Sequence, residues 1–177
     1  MADAPPQEEK RSFTRVPTRI RGMARRCRSL DNPLLFQHGA SVTTPLPAEA
    51  VKNSGLPPQL IEYLLQLNAK LDEILAMQSR EQLRQDFPIV LEILEISGAG
   101  IRFRCRDETF FEDDTLEVVM LLGSQPPRMA GAKGRVVERS GGLYGFEFTK
   151  IRESDQEAVI QFVFQEQREQ IRGIKMG

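Results

Sequence analysis

Hydrophobic positions change period along this chain, and each change marks an element. Between Leu56 and Gln85 they recur at helical spacing. Leu60, Leu64, Leu67, Leu71 and Ile74 step by four and three residues, the seam of a coiled coil, while Ile61, Leu65 and Leu75 widen the stripe and Asn68 and Asp72 interrupt it. Pro57 and Pro58 fall where a first helical turn tolerates proline, and no breaker follows until Pro88. The spacing predicts a helix from Pro57 to about Gln85, roughly 43 Å long at ~1.5 Å per residue and longer than a small domain needs. Part of it is expected to pack on another copy of the chain, giving a homo-oligomer. A two-sided apolar face favours more than two helices, with Asn68 helping to fix their register. The other reading is an amphipathic helix lying on its own domain.

After Pro88 the period falls to two. Leu91–Arg106, LEILEISGAGIRFRCR, reads as strand, small-residue turn and strand, with Ile101, Phe103 and Cys105 alternating with Arg102, Arg104 and Arg106. Glu112-Asp113-Asp114 marks a turn, and Leu116, Val118, Met120 and Leu122 form the inward face of a further strand. Gly123–Gly131 reads as a loop. GRVVER from Gly134, a Ser140-Gly141-Gly142 turn, and Leu143–Thr149 with Tyr144, Phe146 and Phe148 on one face make a closing hairpin. Ser154 and Glu157 have capping-box spacing for a last helix, whose Val159, Phe162 and Val163 face the core and close one end of the sheet. Upstream, Arg19–Ala24 alternates loosely as a strand. Ser29–Gly55 reads as a loop with hints of mobility, and its His38, the single histidine, as a surface residue. These elements predict a mainly β fold with helices, a small antiparallel β-barrel. The expected division is a flexible tail (1–9), an arginine-rich arm and first strand (10–28), an insertion of loop plus long helix (29–86), the rest of the barrel (87–150), and a C-terminal helix and tail (151–177).

Composition narrows the function classes. A chain of 177 residues, 40% of them hydrophobic, can bury one core of ordinary size. Its two cysteines, Cys27 and Cys105, are too far apart and too few for a disulfide framework or a zinc site. The expected compartment is the cytoplasm: the first nine residues lack the features of a secretory signal, and no apolar run approaches the ~20 residues of a membrane span. The formal net charge is −1, yet Lys10, Arg11, Arg15, Arg19, Arg21, Arg25, Arg26 and Arg28 follow one another without an acid between them. Such a segment calls for an anionic partner.

Two short constellations carry the candidate chemistry. Arg11 and Arg15, four apart beside Pro17, can close over one ligand, since guanidinium groups bind phosphate bidentately and stack on flat rings. Glu95 and Ser97 stand at the lip of the hairpin turn, and Gly98, Ala99 and Gly100 admit another molecule close to the backbone. A carboxylate accepts from paired N–H donors of a ligand, and a serine hydroxyl donates or accepts.

In this order, Arg11-Ser12-Phe13-Thr14-Arg15 and Glu95-Ile96-Ser97-Gly98-Ala99-Gly100 resemble the RxxxR and [D/N]xSxxG patterns of the PilZ domain family, the bacterial receptor module for cyclic di-GMP. The resemblance extends through GRVVERSGGLYGFEF and the terminal AVIQFVFQEQR, covering Lys10–Arg28 and Phe87–Arg172. It implies cyclic di-GMP as ligand, clasped by Arg11 and Arg15 and held by Glu95, Ser97, Gly98 and Gly100. Glu95 departs from the family's Asp or Asn by one methylene, which moves the carboxylate by about a bond length.

No catalytic signature is present: there is no GxSxG, HExxH or Walker lysine loop, and Gly98-Ala99-Gly100 leads into a strand. Glu112, Asp113 and Asp114 read as a solvated turn, without a metal. The expected function is a non-enzymatic cyclic di-GMP effector acting on a partner protein of unknown identity. The alternative is a nucleotide-independent oligomeric scaffold. Nucleic-acid binding ranks last, because few aromatic residues accompany the basic segment.

Overall fold

A computed structural model describes residues 13–37, 53, 55–124 and 127–175. The tail, Arg11, His38 and most of the segment ahead of the long helix lie outside the described residues. The elements are β1 (Val16–Arg26), α1 (Pro58–Asp86), β2 (Ile89–Ser97), β3 (Gly100–Arg104), β4 (Thr115–Ser124), β5 (Pro127–Ser140), β6 (Leu143–Ile151) and α2 (Glu153–Lys175). All strand pairs are antiparallel and close into a barrel in the order β1-β2-β3-β6-β5-β4.

Period-two patterning sets the barrel interior. Ile93, Ile96, Ile101, Phe103, Leu116, Val118, Met120, Val136 and Phe146 are buried in one core, which Val159 and Val163 of α2 complete. Phe103 stacks on Tyr144 at 5.4 Å between ring centroids, and the edge of Phe110 meets both. Gly141 and Gly142 turn the β5–β6 hairpin with φ of 57° and 80°, the left-handed pair that a two-residue turn between twisted strands requires.

The structure corrects the sequence reading at three places. β5 begins at Pro127, not after Gly131, because its ladder with β4 continues through a bulge between Leu121 and Gly123. Strand β6 runs to Ile151 and α2 begins at Glu153, so Ser154 lies inside the first turn instead of capping it; Asp155 is the residue turned inward there. Residues 28–37 have no regular structure, yet they are pinned to the outside of the barrel. Glu117, fully buried on β4, accepts from Arg25 Nε and Nη2 at 3.0 and 2.7 Å and from the Phe36 N–H at 2.8 Å. Its ladder neighbour Lys133, equally buried, donates to the carbonyls of Asn32 at 2.9 Å and Pro33 at 3.3 Å. The polar face of the β4–β5 pair is therefore covered, and its buried charges find partners in the covering segment.

A second apolar cluster forms on this outer surface. Phe36 and Phe87 meet edge to face at 6.5 Å over Val119, with Leu83 and Met129 alongside. Gly131 makes room, since a Cβ there would run into the Phe36 ring. Phe87 closes α1 by donating its N–H to the Leu83 carbonyl at 2.9 Å, so the C-terminal end of the helix is docked. The rest of α1 leaves its apolar row uncovered among the described residues: Leu60, Leu64, Leu67, Leu71 and Ile74 are 40% to 60% exposed.

Glu117→Ala removes the buried carboxylate that accepts from the half-buried Arg25 and from the Phe36 N–H, and is expected to cost about 3 kcal/mol. Glu92→Ala, which removes the exposed pair with Arg19, is expected to cost about 0–1 kcal/mol. Urea unfolding of the two variants checks the difference.

Candidate ligand site

The β2–β3 hairpin turns through Gly98 and Ala99, between the paired Ser97 and Gly100. Ser97 is buried and braces the turn from within: its hydroxyl accepts from the Ala99 N–H and donates to the Gly100 carbonyl, both at 3.2 Å. The Ala99 carbonyl in turn accepts from the Phe148 N–H at 2.8 Å, which ties the hairpin tip to β6. At Gly100 a Cβ would fall on the Phe146 carbonyl oxygen, so only glycine allows β3 this approach.

A row of residues runs outward across four strands from this turn. Glu95 lies opposite Arg102, Arg102 opposite Gly145, and Gly145 opposite Glu138. Because Gly145 carries no side chain, Arg102 reaches over it to Glu138, with Nη2 to Oε2 at 3.0 Å, while its Nε stands 3.8 Å from Glu95 Oε2. Arg15 emerges directly ahead of the buried Val16, at the start of β1. Together these side chains line a cavity of about 230 Å³ with Ser97, Gly100, Val137 and Glu147. That is below the ~300–1,000 Å³ of pockets that enclose a whole small molecule. A ligand larger than a single flat base would therefore extend outside it.

Of the sequence-predicted residues, Arg15, Glu95, Ser97 and Gly100 share this cavity. Gly98 faces a different groove of about 250 Å³, between the arm and Ile160, Val163 and Phe164 of α2, and the Phe13 ring lies directly over it. Arg11 lies outside the described residues. Sequence reasoning placed Arg102 only on a cationic strand face and did not single out Glu138 or Gly145. Their positions follow from barrel closure, which brings β5 and β6 beside β3; the signal available was the outward alternation of Arg102 and the glycine set between Tyr144 and Phe146.

A family model described as the PilZ domain matches residues 74–165, just over half of the chain. The chain belongs to the PilZ domain family. The matched range contains the hairpin, Arg102, Glu138 and Gly145, and the arginine arm lies ahead of it. Among solved structures, the chain is similar to a tetrameric PilZ domain from Xanthomonas campestris, described as self-assembled through a helical bundle. The likeness has a TM-score of 0.52 at 21% identity, over 91% of this chain and 92% of that one. It is also similar to the Bacillus subtilis inhibitor of motility, with a TM-score of 0.49 at 13% identity; the likeness covers 93% of this chain but 56% of that chain's length. A third likeness is to the PilZ domain of CeSA from a cellulose-synthesising bacterium, with a TM-score of 0.41 at 10% identity, over 85% and 95% of the two chains. At 21% identity the Xanthomonas likeness speaks for the fold alone. No curated protein matches the chain.

Two substitutions separate the roles of the turn glycines. Gly100→Ala collides with backbone that cannot yield, and is expected to lower the melting temperature by several degrees, at ~2–4 °C per kcal/mol lost in a chain of this size. Gly98→Ala first meets the Phe13 ring, a partly exposed side chain that can swing away, and is expected to leave the melting temperature nearly unchanged. Thermal unfolding followed by circular dichroism distinguishes them.

Proposed function

We propose that this PilZ protein is a non-enzymatic, cytoplasmic receptor for cyclic di-GMP that passes the level of the second messenger to a partner protein. The observation that carries this reading is the convergence of Arg15, Glu95 and Arg102 on one cavity at the hairpin. In the bound state Glu95 accepts from the N1 and N2 donors of one guanine, and Gly100 lets the base lie against the strand. Arg15, with Arg11 from the same arm, takes phosphate oxygens and stacks on the exposed guanine face. Arg102 already lies between Glu95 and Glu138, so ligand entry exchanges an internal ion pair for one with phosphate. Phosphate held by Arg11 and Arg15 neutralises the arm and changes the surface offered to the partner.

Self-association through α1 belongs to the same reading. Its uncovered leucine row is a poor face to leave in water, and a bundle of such helices buries it. The Xanthomonas neighbour, described as assembled through a helical bundle, supports this by analogy.

A second reading, a nucleotide-independent scaffold, draws on Glu95 and on the carboxylates that surround Arg102. Glu138 and Glu147 join Glu95 in the cavity, so the pocket holds more acids than its arginines, Arg15 and Arg102.

Calorimetric titration with cyclic di-GMP separates the readings. The receptor reading expects micromolar or tighter binding that Arg15→Ala weakens by at least about tenfold, the loss of roughly one charge-assisted contact. Absence of binding by the native chain, restored by Glu95→Asp, supports the scaffold. For assembly, Leu67→Glu combined with Leu71→Glu is expected to convert the oligomer to a monomer in light scattering, with the barrel's circular dichroism retained.

A further inference from the structure

The outer surface of β1, β2 and β3 carries a second concavity, on the opposite side of Glu95 and Arg102 from the hairpin turn. It measures about 750 Å³, and its lining includes Arg19 and Arg21 of β1, Val90 and Glu92 of β2, and Arg104 and Arg106 of β3 and the segment after it. The strand register explains the grouping. Arg21 lies opposite Glu92, and Glu92 opposite Arg104, so adjacent strands present the two arginines on either side of one acid. Neighbouring strands are ~4.8 Å apart, which sets the two arginine backbones about 10 Å from each other. Glu92 is already engaged by Arg19, whose Nε donates to Oε1 at 2.8 Å. Arg21, Arg104 and Arg106 are exposed and make no ion pair or side-chain hydrogen bond with a described residue. Asp107 is the other acid in the lining, which leaves an excess of positive charge on a concave sheet face.

We propose that this face docks an acidic segment of a partner protein, independently of the nucleotide cavity. Arg21 and Arg104, two strand spacings apart, and Arg106 just past β3 present three unpaired guanidinium groups, whose long side chains can reach carboxylates that repeat on one side of an extended chain at every second residue. Val90, 57% exposed at the floor, gives such a chain an apolar contact beside the charged ones. A nucleic acid fits less well. Among the described residues no aromatic ring lines the concavity to stack a base, and Glu92 and Asp107 repel a phosphate backbone.

The test uses the full chain and a fluorescein-labelled peptide of alternating Glu and Val, followed by fluorescence anisotropy beside labelled oligothymidylate. The native chain is expected to bind the peptide, more weakly as salt rises, and Arg21→Glu combined with Arg104→Glu to reduce affinity by at least about tenfold. Arg128→Glu, on another face, is expected to leave binding unchanged. Glu92→Gln, which releases Arg19 and removes a repelling carboxylate, is expected to tighten binding by about two- to fivefold and keeps the test decisive if the double reversal fails to fold. No peptide binding, tighter binding of the oligonucleotide, equal loss with Arg128→Glu, or weaker binding by Glu92→Gln would each overturn the proposal.

Discussion

Strand β1 is hydrogen-bonded along both edges over Gly22, Met23 and Ala24, to β2 on one side and to β4 on the other. This double pairing closes the barrel and removes the free edges that an open six-stranded sheet would expose. It also determines where every charged feature lies. Because Val16 is drawn into the core and Pro17 pairs opposite Glu95, the arginine arm can leave the barrel only beside the β2–β3 hairpin. At the other end of the strand, Arg25 turns to the buried Glu117 and the chain is held against β4 and β5 before α1 begins. One strand thus orders the candidate ligand site, the basic face and the root of the long helix.

Much of the architecture was legible in the sequence, for a physical reason in each case. The period of Leu60, Leu64, Leu67, Leu71 and Ile74 located α1 within a residue or so, because nothing but helical spacing produces that row. Ser140-Gly141-Gly142 located a hairpin whose backbone only glycine adopts readily. The inward row of Leu116, Val118, Met120 and Leu122 leaves Glu117 on the outer face of β4, and nothing in the sequence marks that face, or Lys133 beside it, as covered. Both residues point out of the barrel, but the 28–37 segment covers them, and a long-range cover leaves no local trace. The same holds at the candidate site. Arg15 and Glu95 stand in short motifs, whereas Glu138 joins them through the closure of β5 onto β6 and the missing side chain of Gly145.

The cavity beside the hairpin differs from a simple anion trap. Its arginines are offset by carboxylates, a lining that suits a ligand offering both hydrogen-bond donors and negative charge, as the proposed guanine nucleotide does. The long acid at position 95 reaches farther than an Asp or Asn would, and Arg102 stands within ion-pair distance of it. Length of the acid and placement of the arginine therefore act as one unit, and their effects on binding should not be additive. The leucine row of α1 lies on a separate element, docked to the barrel through Phe87 and Leu83, so the proposed assembly face and the candidate ligand site lie on different surfaces.

Amide chemical-shift mapping of the isotope-labelled chain during titration with cyclic di-GMP locates any bound nucleotide on the barrel. A nucleotide held at the hairpin is expected to shift residues 95–102, Val137, Glu138 and Gly145 and to leave the amides of α1 unmoved. Shifts absent from the hairpin, or confined to the covered outer face of β4 and β5, would contradict that placement.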